Sequence, residues 1–498
     1  MIPIPSKKQI AIIDQFTIQN GTSELSLIDD ASNQFALWLI QRIPDYTKLA
    51  VLCGQGNNGA DGFAVAKKLA QRGYQVTVLA CRLGSKRSDS NAEILDSIAQ
   101  CQYLDFYYID GMDDILQLPE SDILIDALFG NGISRPLSGL FKSLVDHVNE
   151  KYKTIYALDV PSGLLDNQIE QPACTFCKES YSFHFPRAQF FAPSNHKYVG
   201  SWSWGRIKLD EKVIEQQSFN TYLIHSSDAK ARLTNRHAHS HKGKTGKVLH
   251  IVNLENMPGA GIIMTKAALK GGCGMSFVHC INGSNKIGLP IDSIEVGHLD
   301  EINNLGINCI SIGPGLGRDT IAINSVDRIL KILDIPLVLD ADALNIIAEQ
   351  NWHHRIPPNS ILTPHIKEFE RLFGESDGHF ERINLQREIS RSSGIYIILK
   401  GRYSSISDTQ GNIYYNPTGN PSLARGGSGD VLTGILCALL AQNQNQFDTS
   451  IVGPFIHGLC ADLFVQQEHE AGLDMSRLIN LIPRAMHILL NHTESLTY

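Results

Sequence analysis

Two α/β units, each built on a parallel sheet, are the fold this sequence predicts, and three observations predict it. Apolar runs of strand length alternate with stretches of helical spacing along most of the 498 residues. Two glycine-rich loops stand where a strand hands over to a helix: Gly54-Gln55-Gly56-Asn57-Asn58-Gly59-Ala60-Asp61-Gly62 and Gly426-Gly427-Ser428-Gly429-Asp430. Their separation is too large for one βαβ unit, so two active sites are expected. The length allows two to four domains, each able to bury its own core.

In the first half, Lys48-Leu49-Ala50-Val51-Leu52-Cys53 reads as a strand that runs straight into the first glycine loop. Helical spacing follows from Gly62 to Gln71 (Phe63, Val65, Ala66, Leu69, Ala70) and stops at Arg72-Gly73. Gln75 to Ala80 is the next strand, completing a βαβ unit whose loop amides can face an anion. Two later strands end in carboxylates, Asp126 before Ala127-Leu128-Phe129-Gly130-Asn131-Gly132 and Asp159 before Val160-Pro161-Ser162-Gly163. In an open parallel sheet ligands bind beyond the carboxyl ends of the strands, which puts Asn58, Asp126, Asp159 and Ser162 on one rim. A strand-ending Asp can be no more than a helix cap; three such strand ends within about 110 residues favour a site. Their ligand atoms are oxygens, suited to a hard cation.

From Leu209 to about Thr221 the chain is polar and without core periodicity, the mark of a linker. In the second half, strands are expected at Lys247–Val252, Cys309–Ile312, Pro336–Leu339, Ile361–Thr363 and Ile395–Leu399, alternating with helices such as Ile262–Lys270. They lead into Asn256–Gly261, Gly313-Pro314-Gly315-Leu316-Gly317, Asp340-Ala341-Asp342, Pro364-His365 and Lys400-Gly401. The second glycine loop opens an apolar helix over Val431 to Ala441. Free amides at that helix start suit a transferring phosphoryl group, and the same field is expected to keep Asp430 ionised and ready to accept a proton. The plainer alternative is that Asp430 only caps the helix.

Composition narrows the function classes. Hydrophobic content of 43%, charged content of 19% and a net charge of −8 describe an ordinary globular protein and argue against non-specific nucleic-acid binding. No apolar run is long enough to span a bilayer, and Met1-Ile2-Pro3-Ile4-Pro5-Ser6-Lys7-Lys8 lacks the apolar core of a signal peptide, so a cytoplasmic location is expected. The ten cysteines are scattered in apolar segments and read as small buried hydrophobes, including the CxxC pair Cys174 and Cys177. His237, His239 and His241 alternate in a segment that reads as solvated rather than metal-binding.

The three rim motifs resemble the N-terminal domain of the bifunctional NAD(P)H-hydrate repair enzymes, whose epimerase motifs read GxGNNGGDG, DxLFGxG and DxPSG. The resemblance implies an epimerase domain over residues 1–212, with Asn57, Asn58, Gly59, Ala60 and Asp61 and the run Gly130, Asn131, Gly132, Ile133, Ser134, Arg135 and Pro136 holding hydrated NAD(P)H. It further implies potassium held by Asn58, Asp126 and Ser162, and a substrate contact at Asp159, our candidate for the acid/base. Ala60 stands where the family usually has glycine; a left-handed backbone there would cost about 1–2 kcal/mol. The second half resembles the ribokinase-like fold and, more narrowly, the ADP/ATP-dependent NAD(P)HX dehydratase over residues 222–498, with Ser240-His241-Lys242-Gly243, Glu368 and Gly419-Asn420-Pro421 in support. This likeness implies that Ala260, Gly317, His365 and Asp430, with Gly315 as a neighbour, contact the hydrate. Lys400, Gly401, Arg402, Tyr403, Ser404 and Gly429 would hold ADP or ATP with Mg²⁺. Asn253-Leu254-Glu255 departs from the family's Gly-Gly-Ser, and Ile366-Lys367 from its Pro-Gly.

The implied function is repair: exchange of the two hydrate epimers, then dehydration of one at the expense of ADP or ATP. Asp159 and Asp430 are the expected catalytic residues, and a homo-oligomer with neither nucleic-acid nor membrane partners the expected assembly. The competing expectation is a ribokinase-like kinase for a small vitamin alcohol behind a non-catalytic N-terminal binding domain. It would yield a stable phosphorylated product, whereas repair releases inorganic phosphate.

Overall fold

The computed structural model describes residues 1–84, 87–166, 173–234, 245–255, 257–283 and 288–491. The histidine run 237–241, the segment Ser240–Gly243 and Asn256 lie outside them. The chain divides into two units, one of residues 3–219 with 378–380, the other of residues 1–2, 220–377 and 381–498. After a two-residue strand β1 (Ile2–Pro3), the first unit carries β2 (Lys48–Cys53), β3 (Gln75–Cys81), β4 (Leu104–Ile109), β5 (Ile123–Ala127), β6 (Ile155–Leu158), β7 (Glu179–Phe183) and β8 (Ser201–Gly205). Their order is β4-β3-β2-β5-β6-β7-β8, every neighbouring pair parallel.

Near-continuous apolar strands such as Leu49–Cys53 make sense because both faces are covered. Leu49, Val51 and Cys53 share a core with Phe35 and Phe63, carried by helices Glu24–Ile40 and Asn57–Gln71. Ala50 and Leu52 pack with Leu144, Val145 and Val148 of helix Gly139–Lys151. The direction of strand succession reverses between β2 and β5, and beyond the ends of those strands a crevice is built in.

The first glycine loop is shorter than its sequence suggests. Helix Asn57–Gln71 begins five residues before the expected Gly62, which leaves Gly54-Gln55-Gly56 as the turn. Gly59 and Gly62 serve packing rather than turning: a Cβ on Gly59 would lie 2.0 Å from the Gly54 carbonyl oxygen, and one on Gly62 2.6 Å from the Ala127 Cβ. Ala60 is therefore helical and buried, absent from the left-handed residues, and carries none of the strain considered for it. The polar stretch after Leu209 also holds structure. Asp210 caps a short helix, Glu211–Glu215, whose Val213 and Ile214 are buried in a cluster with Ile13 and Phe185.

The second unit carries β9 (Thr221–Leu223), β10 (Lys247–Val252), β11 (Met275–Cys280), β12 (Ser293–Glu295), β13 (Cys309–Ile312), β14 (Leu337–Leu339), β15 (Ile361–Leu362), β16 (Tyr396–Leu399), β17 (Ser405–Ser407) and β18 (Ile413–Tyr415). The sheet runs β1-β9-β18-β17-β16-β15-β14-β13-β10-β11-β12. From β16 to β12 all neighbours are parallel, and β17 runs antiparallel to both β16 and β18. The hairpin β17–β18 turns through Gly411, left-handed at φ 80° and followed by Asn412. Its turn is held by the Asp408 carboxylate, which accepts from the Gln410 and Asn412 amides at 2.9 Å. Helix Ser428–Ala441 starts three residues ahead of the expected Val431 and is buried along most of its length.

Among the described residues no helix is long and apolar enough to cross a membrane. Cys174 and Cys177 are free and buried, and burial pushes both thiols well above their ordinary range, so they are unreactive packing groups.

Candidate active sites

At the switch point of the first unit lies a cleft of about 910 Å³. Its lining includes Gly54–Asn58, Asp61, Gly130–Ile133, Asp159 and Arg187. Asn91 ties the glycine turn down, its amide donating to the carbonyls of Gly54 (3.0 Å) and Gly56 (2.8 Å). Gly54 itself approaches so closely that a Cβ would fall 1.9 Å from the Leu128 carbonyl oxygen. The helix that follows carries no side-chain cap, which leaves its first amides toward the cleft. Gly59 and Ala60 are buried inside that helix, while Ser134, Arg135 and Pro136 lie outside the cleft lining.

Asp126 is fully buried at the end of β5. Its carboxylate accepts from the Ser162 hydroxyl (2.6 Å), the Ser162 amide (2.8 Å), the Thr175 hydroxyl (2.6 Å) and the Leu128 amide (3.2 Å). Burial raises its pKa, and those hydrogen bonds work against the rise. Ser162 Oγ accepts in turn from the Phe129 amide at 2.8 Å. Asn58 packs against Gly130, and its buried Nδ2 has no partner among the described residues.

Asp159 sits just past β6 with a φ of 75°, the left-handed region that a non-glycine residue occupies only when its surroundings impose it. Those surroundings are explicit. Its amide donates to the Tyr181 carbonyl at 2.8 Å, Oδ2 accepts from the Asn131 amide at 3.1 Å, and Oδ1 accepts from Arg187 Nε at 2.8 Å and Nη2 at 2.7 Å. Arg187 is 6% exposed, and its buried Nη1 is unpartnered among the described residues. Sequence reasoning missed Arg187, which lies 28 positions after Asp159 and just beyond β7, the next strand of the same rim. Burial pushes the carboxyls of Asp14 and Asp61, both in the cleft, upward: Asp14 to about 6, Asp61 well above its ordinary range.

In the second unit five adjacent parallel strands, β10, β13, β14, β15 and β16, deliver residues to one rim. Asp340, past β14 and 1% exposed, accepts from Lys400 Nζ at 2.8 Å, from the Ala341 amide at 2.9 Å and from the Thr433 hydroxyl at 3.0 Å. Lys400, past β16, also lies 3.9 Å from Glu368. Burial lowers its pKa, and the carboxylates of Asp340 and Glu368 outweigh that, so it ends raised and stays cationic. Gly429 belongs to this group: a Cβ there would stand 3.4 Å from Lys400 Nζ and 3.5 Å from Asp340 Oδ2. Asp430, one residue on, is half-buried. Burial first, then the Asp340 charge, raise its carboxyl to about 6 against the pull of Lys400. Desolvation thus overrides the lowering expected from the helix start.

The other expected residues group around this rim. His365 heads helix Ile366–Phe373, its amide donating to Glu368 at 2.8 Å, and it bridges backbone to backbone with Lys400. Gly315 (φ 62°) and Gly317 (φ 80°) are left-handed, and a Cβ on Gly315 would meet the Ala260 Cβ at 2.8 Å. Asn253, one of the departures, is buried and donates to the Leu316 carbonyl at 3.1 Å, so it braces the glycine turn. Gly401 to Ser404 form the bend between β16 and β17; Arg402 donates to the Gly419 carbonyl at 2.7 Å and lies over the Tyr403 ring. Sequence reasoning left Asp340 and Thr433 without a role. For Asp340 the signal was the same strand-end position that singled out Asp126.

The family described as NAD(P)H-hydrate dehydratase matches residues 248–484, and the one described as YjeF-related protein N-terminus matches residues 24–188. The chain is 33% identical over 434 residues to a bifunctional NAD(P)H-hydrate repair enzyme of Vibrio cholerae, covering 84% of this chain and 85% of that one. It is 29% identical over 486 residues to a protein of the same description from Moorella thermoacetica, covering 90% and 89%. Among solved structures, the ADP/ATP-dependent NAD(P)H-hydrate dehydratase of Bacillus subtilis, co-crystallised with ATP and Mg²⁺, is 28% identical and covers 53% of this chain and 97% of its own, with a TM-score of 0.47.

Proposed function

The chain belongs to the bifunctional NAD(P)H-hydrate repair enzymes, and from that premise we propose that its two rims divide the work, the first exchanging the hydrate epimers and the second dehydrating one of them with ADP or ATP. The observation that carries this division is a carboxylate at each rim with a distinct charged setting: Asp159 against Arg187, and Asp430 next in sequence to Gly429, which stands at the Lys400–Asp340 pair, and within the fields of both.

Water added across the ring's enamine double bond leaves a hydroxyl on the carbon next to the ring nitrogen. Asp159, held in place by Arg187, takes the hydroxyl proton; the carbon–nitrogen bond then opens to an aldehyde and can reclose on its other face. The Gly54–Asn58 turn and Gly130–Ile133 hold the dinucleotide, with the amides at the start of helix Asn57–Gln71 toward its phosphates.

Asn58, Asp126 and Ser162 would hold potassium, and their chemistry fits it. The Asp126 carboxylate and Ser162 hydroxyl are hard oxygens 2.6 Å apart, and the Asn58 side-chain carbonyl at Gly130 is a third; an ion there would replace some of the four hydrogen bonds that Asp126 accepts. Such an ion would fix the charge of Asp126 and the position of the loop that carries Gly130.

At the second rim Asp430 accepts the proton of the same ring hydroxyl as it attacks the nucleotide's terminal phosphoryl group. Phosphorylation turns a poor leaving group into a good one; the C–O bond breaks with its pair leaving on inorganic phosphate, the neighbouring ring carbon gives up its added proton to solvent, and the enamine double bond of NAD(P)H is restored. Lys400 and the amides before Asp430 face the phosphates, and Gly401 to Ser404 hold the rest of the nucleotide. The oxygens of Asp340 are engaged by Lys400, Ala341 and Thr433, so the residues fit a Mg²⁺ carried in on the phosphates rather than one caged by protein. Bound there, Mg²⁺ supplies charge neutralisation on the transferring group.

The test incubates the full chain with separated hydrate epimers. Without nucleotide each epimer should convert to the other; with ADP or ATP, reduced nicotinamide and inorganic phosphate should appear in equal amounts. A stable phosphorylated product would favour a kinase instead.

A further inference from the structure

Resting on the reading of the first unit as the epimer-exchanging one, we propose that Asp14 is a second proton-transfer group of that site, serving the ring nitrogen while Asp159 serves the hydroxyl. Asp14 projects from helix Lys7–Gln19 into the same cleft that Asp159 enters from the end of β6.

The two carboxyls stand in opposite settings. Both oxygens of Asp159 accept hydrogen bonds, and one is paired with the Arg187 guanidinium. Asp14 has neither a hydrogen bond nor an ion pair among the described residues, and its own helix lines the cleft with Ile10 and Ile13. Burial lifts its pKa to about 6, Arg187 opposing and the charges of Asp159 and Glu24 adding. Asp61 faces the group too, itself pushed upward, whereas the Lys7 amine is engaged by Asp166 at 3.1 Å and the Ile133 carbonyl at 2.8 Å. One carboxyl held by a cation beside another that lies unpaired among the described residues is an arrangement that can separate a base from an acid. An independent sign that a polar ligand enters is Arg187 Nη1, buried in the cleft wall and unpartnered among the described residues.

The step balances without any outside reagent. Asp159 takes the hydroxyl proton, the O–H pair becomes the second C–O bond, and the C–N bond breaks with its pair going to nitrogen. Nitrogen takes the proton of the Asp14 carboxyl. After rotation of the open-chain aldehyde, nitrogen attacks the other carbonyl face, returns its proton to Asp14, and the oxygen recovers its own from Asp159. Protons and electrons are unchanged overall.

The test follows epimer exchange by the full chain without nucleotide, comparing wild type with Asp14→Asn and Asp14→Glu. Asp14→Asn should lower kcat at least about 100-fold while KM moves less than about threefold. In the wild type, kcat/KM should fall as pH rises through about 6, because the acid form is lost, and Asp14→Asn should erase that limb. Asp14→Glu should recover a measurable share of the rate, and thermal melting should show both variants folded. Dehydration of the accepted epimer should be unchanged throughout. An Asp14→Asn enzyme with wild-type kcat and the same pH limb, or one changed only in KM, overturns the inference. A wild type that fails to exchange epimers at all overturns the parent reading instead.

Discussion

Asp159 and Asp430 both stand at the carboxyl-end rim of a parallel sheet, yet the protein treats them differently. In the first unit the cation is bound to the candidate carboxylate itself, with Arg187 on Asp159 through two nitrogens. In the second, Lys400 is bound to a neighbour, Asp340, and the Asp430 carboxyl, without a bonded partner among the described residues, is raised to about 6. Strand-end position decides where a carboxylate sits; the nearest cation decides what it does. A fixed anion suits a base that must be ready in either direction of a reversible exchange. A carboxyl near neutrality suits one proton accepted during a phosphoryl transfer.

The comparison breaks most sharply on single deletions at each rim. Asp430→Ala should reduce nucleotide-driven recovery of reduced nicotinamide by roughly 10²–10⁴-fold and leave epimer exchange intact, read by absorbance and by chromatography of the epimers. Asp159→Ala should produce the mirror result, with exchange lost by a similar factor and dehydration of the accepted epimer preserved. A variant that lost both activities with an unchanged thermal melt would end the division of labour.

Removing the second rim's cation sharpens the contrast further. Lys400→Met leaves the nearly inaccessible Asp340 carboxylate without its partner, which should cost about 3 kcal/mol in stability, seen as a lower denaturation midpoint, and raise the nucleotide KM. The pH profile separates the rims more gently. Asp430 must be ionised to accept a proton, and its raised pKa makes it protonated below about 6. Dehydration should therefore be flat above that value and fall about tenfold per pH unit beneath it. The smallest effect belongs to Ala60→Gly: restoring the family's usual glycine inside a helix should lower stability by about 0.5–1 kcal/mol and leave exchange rates near wild type.

The sheet strands were legible because a doubly covered parallel sheet writes itself as short apolar runs closed by glycine or Asp, and Lys48–Cys53 and Cys309–Ile312 match to the residue. The glycine loop was misjudged in extent, since glycines kept for close packing at 59 and 62 look the same in sequence as glycines kept for a turn. The helix Glu211–Glu215 was hidden by its shortness, with two buried side chains too few for a period to show. At the sites, residues on strand ends could be read directly. Arg187 and Asp14 could not, because each reaches the cleft from an element whose own sequence carries no motif, and only the folded chain brings them to Asp159. The raised carboxyl of Asp430 was equally hidden, because burial and the Asp340 charge come from segments far along the chain.

By the proposed division, two separate carboxylates act in succession on one damaged cofactor. Supplying a mixture of both hydrate epimers with excess nucleotide to wild type and to Asp159→Ala tests it most directly, with the final yield of reduced nicotinamide as the readout. Wild type should convert the whole mixture, while Asp159→Ala should stop at the share of the epimer that the second rim accepts. Equal and complete yields from both proteins over the same brief incubation would contradict it.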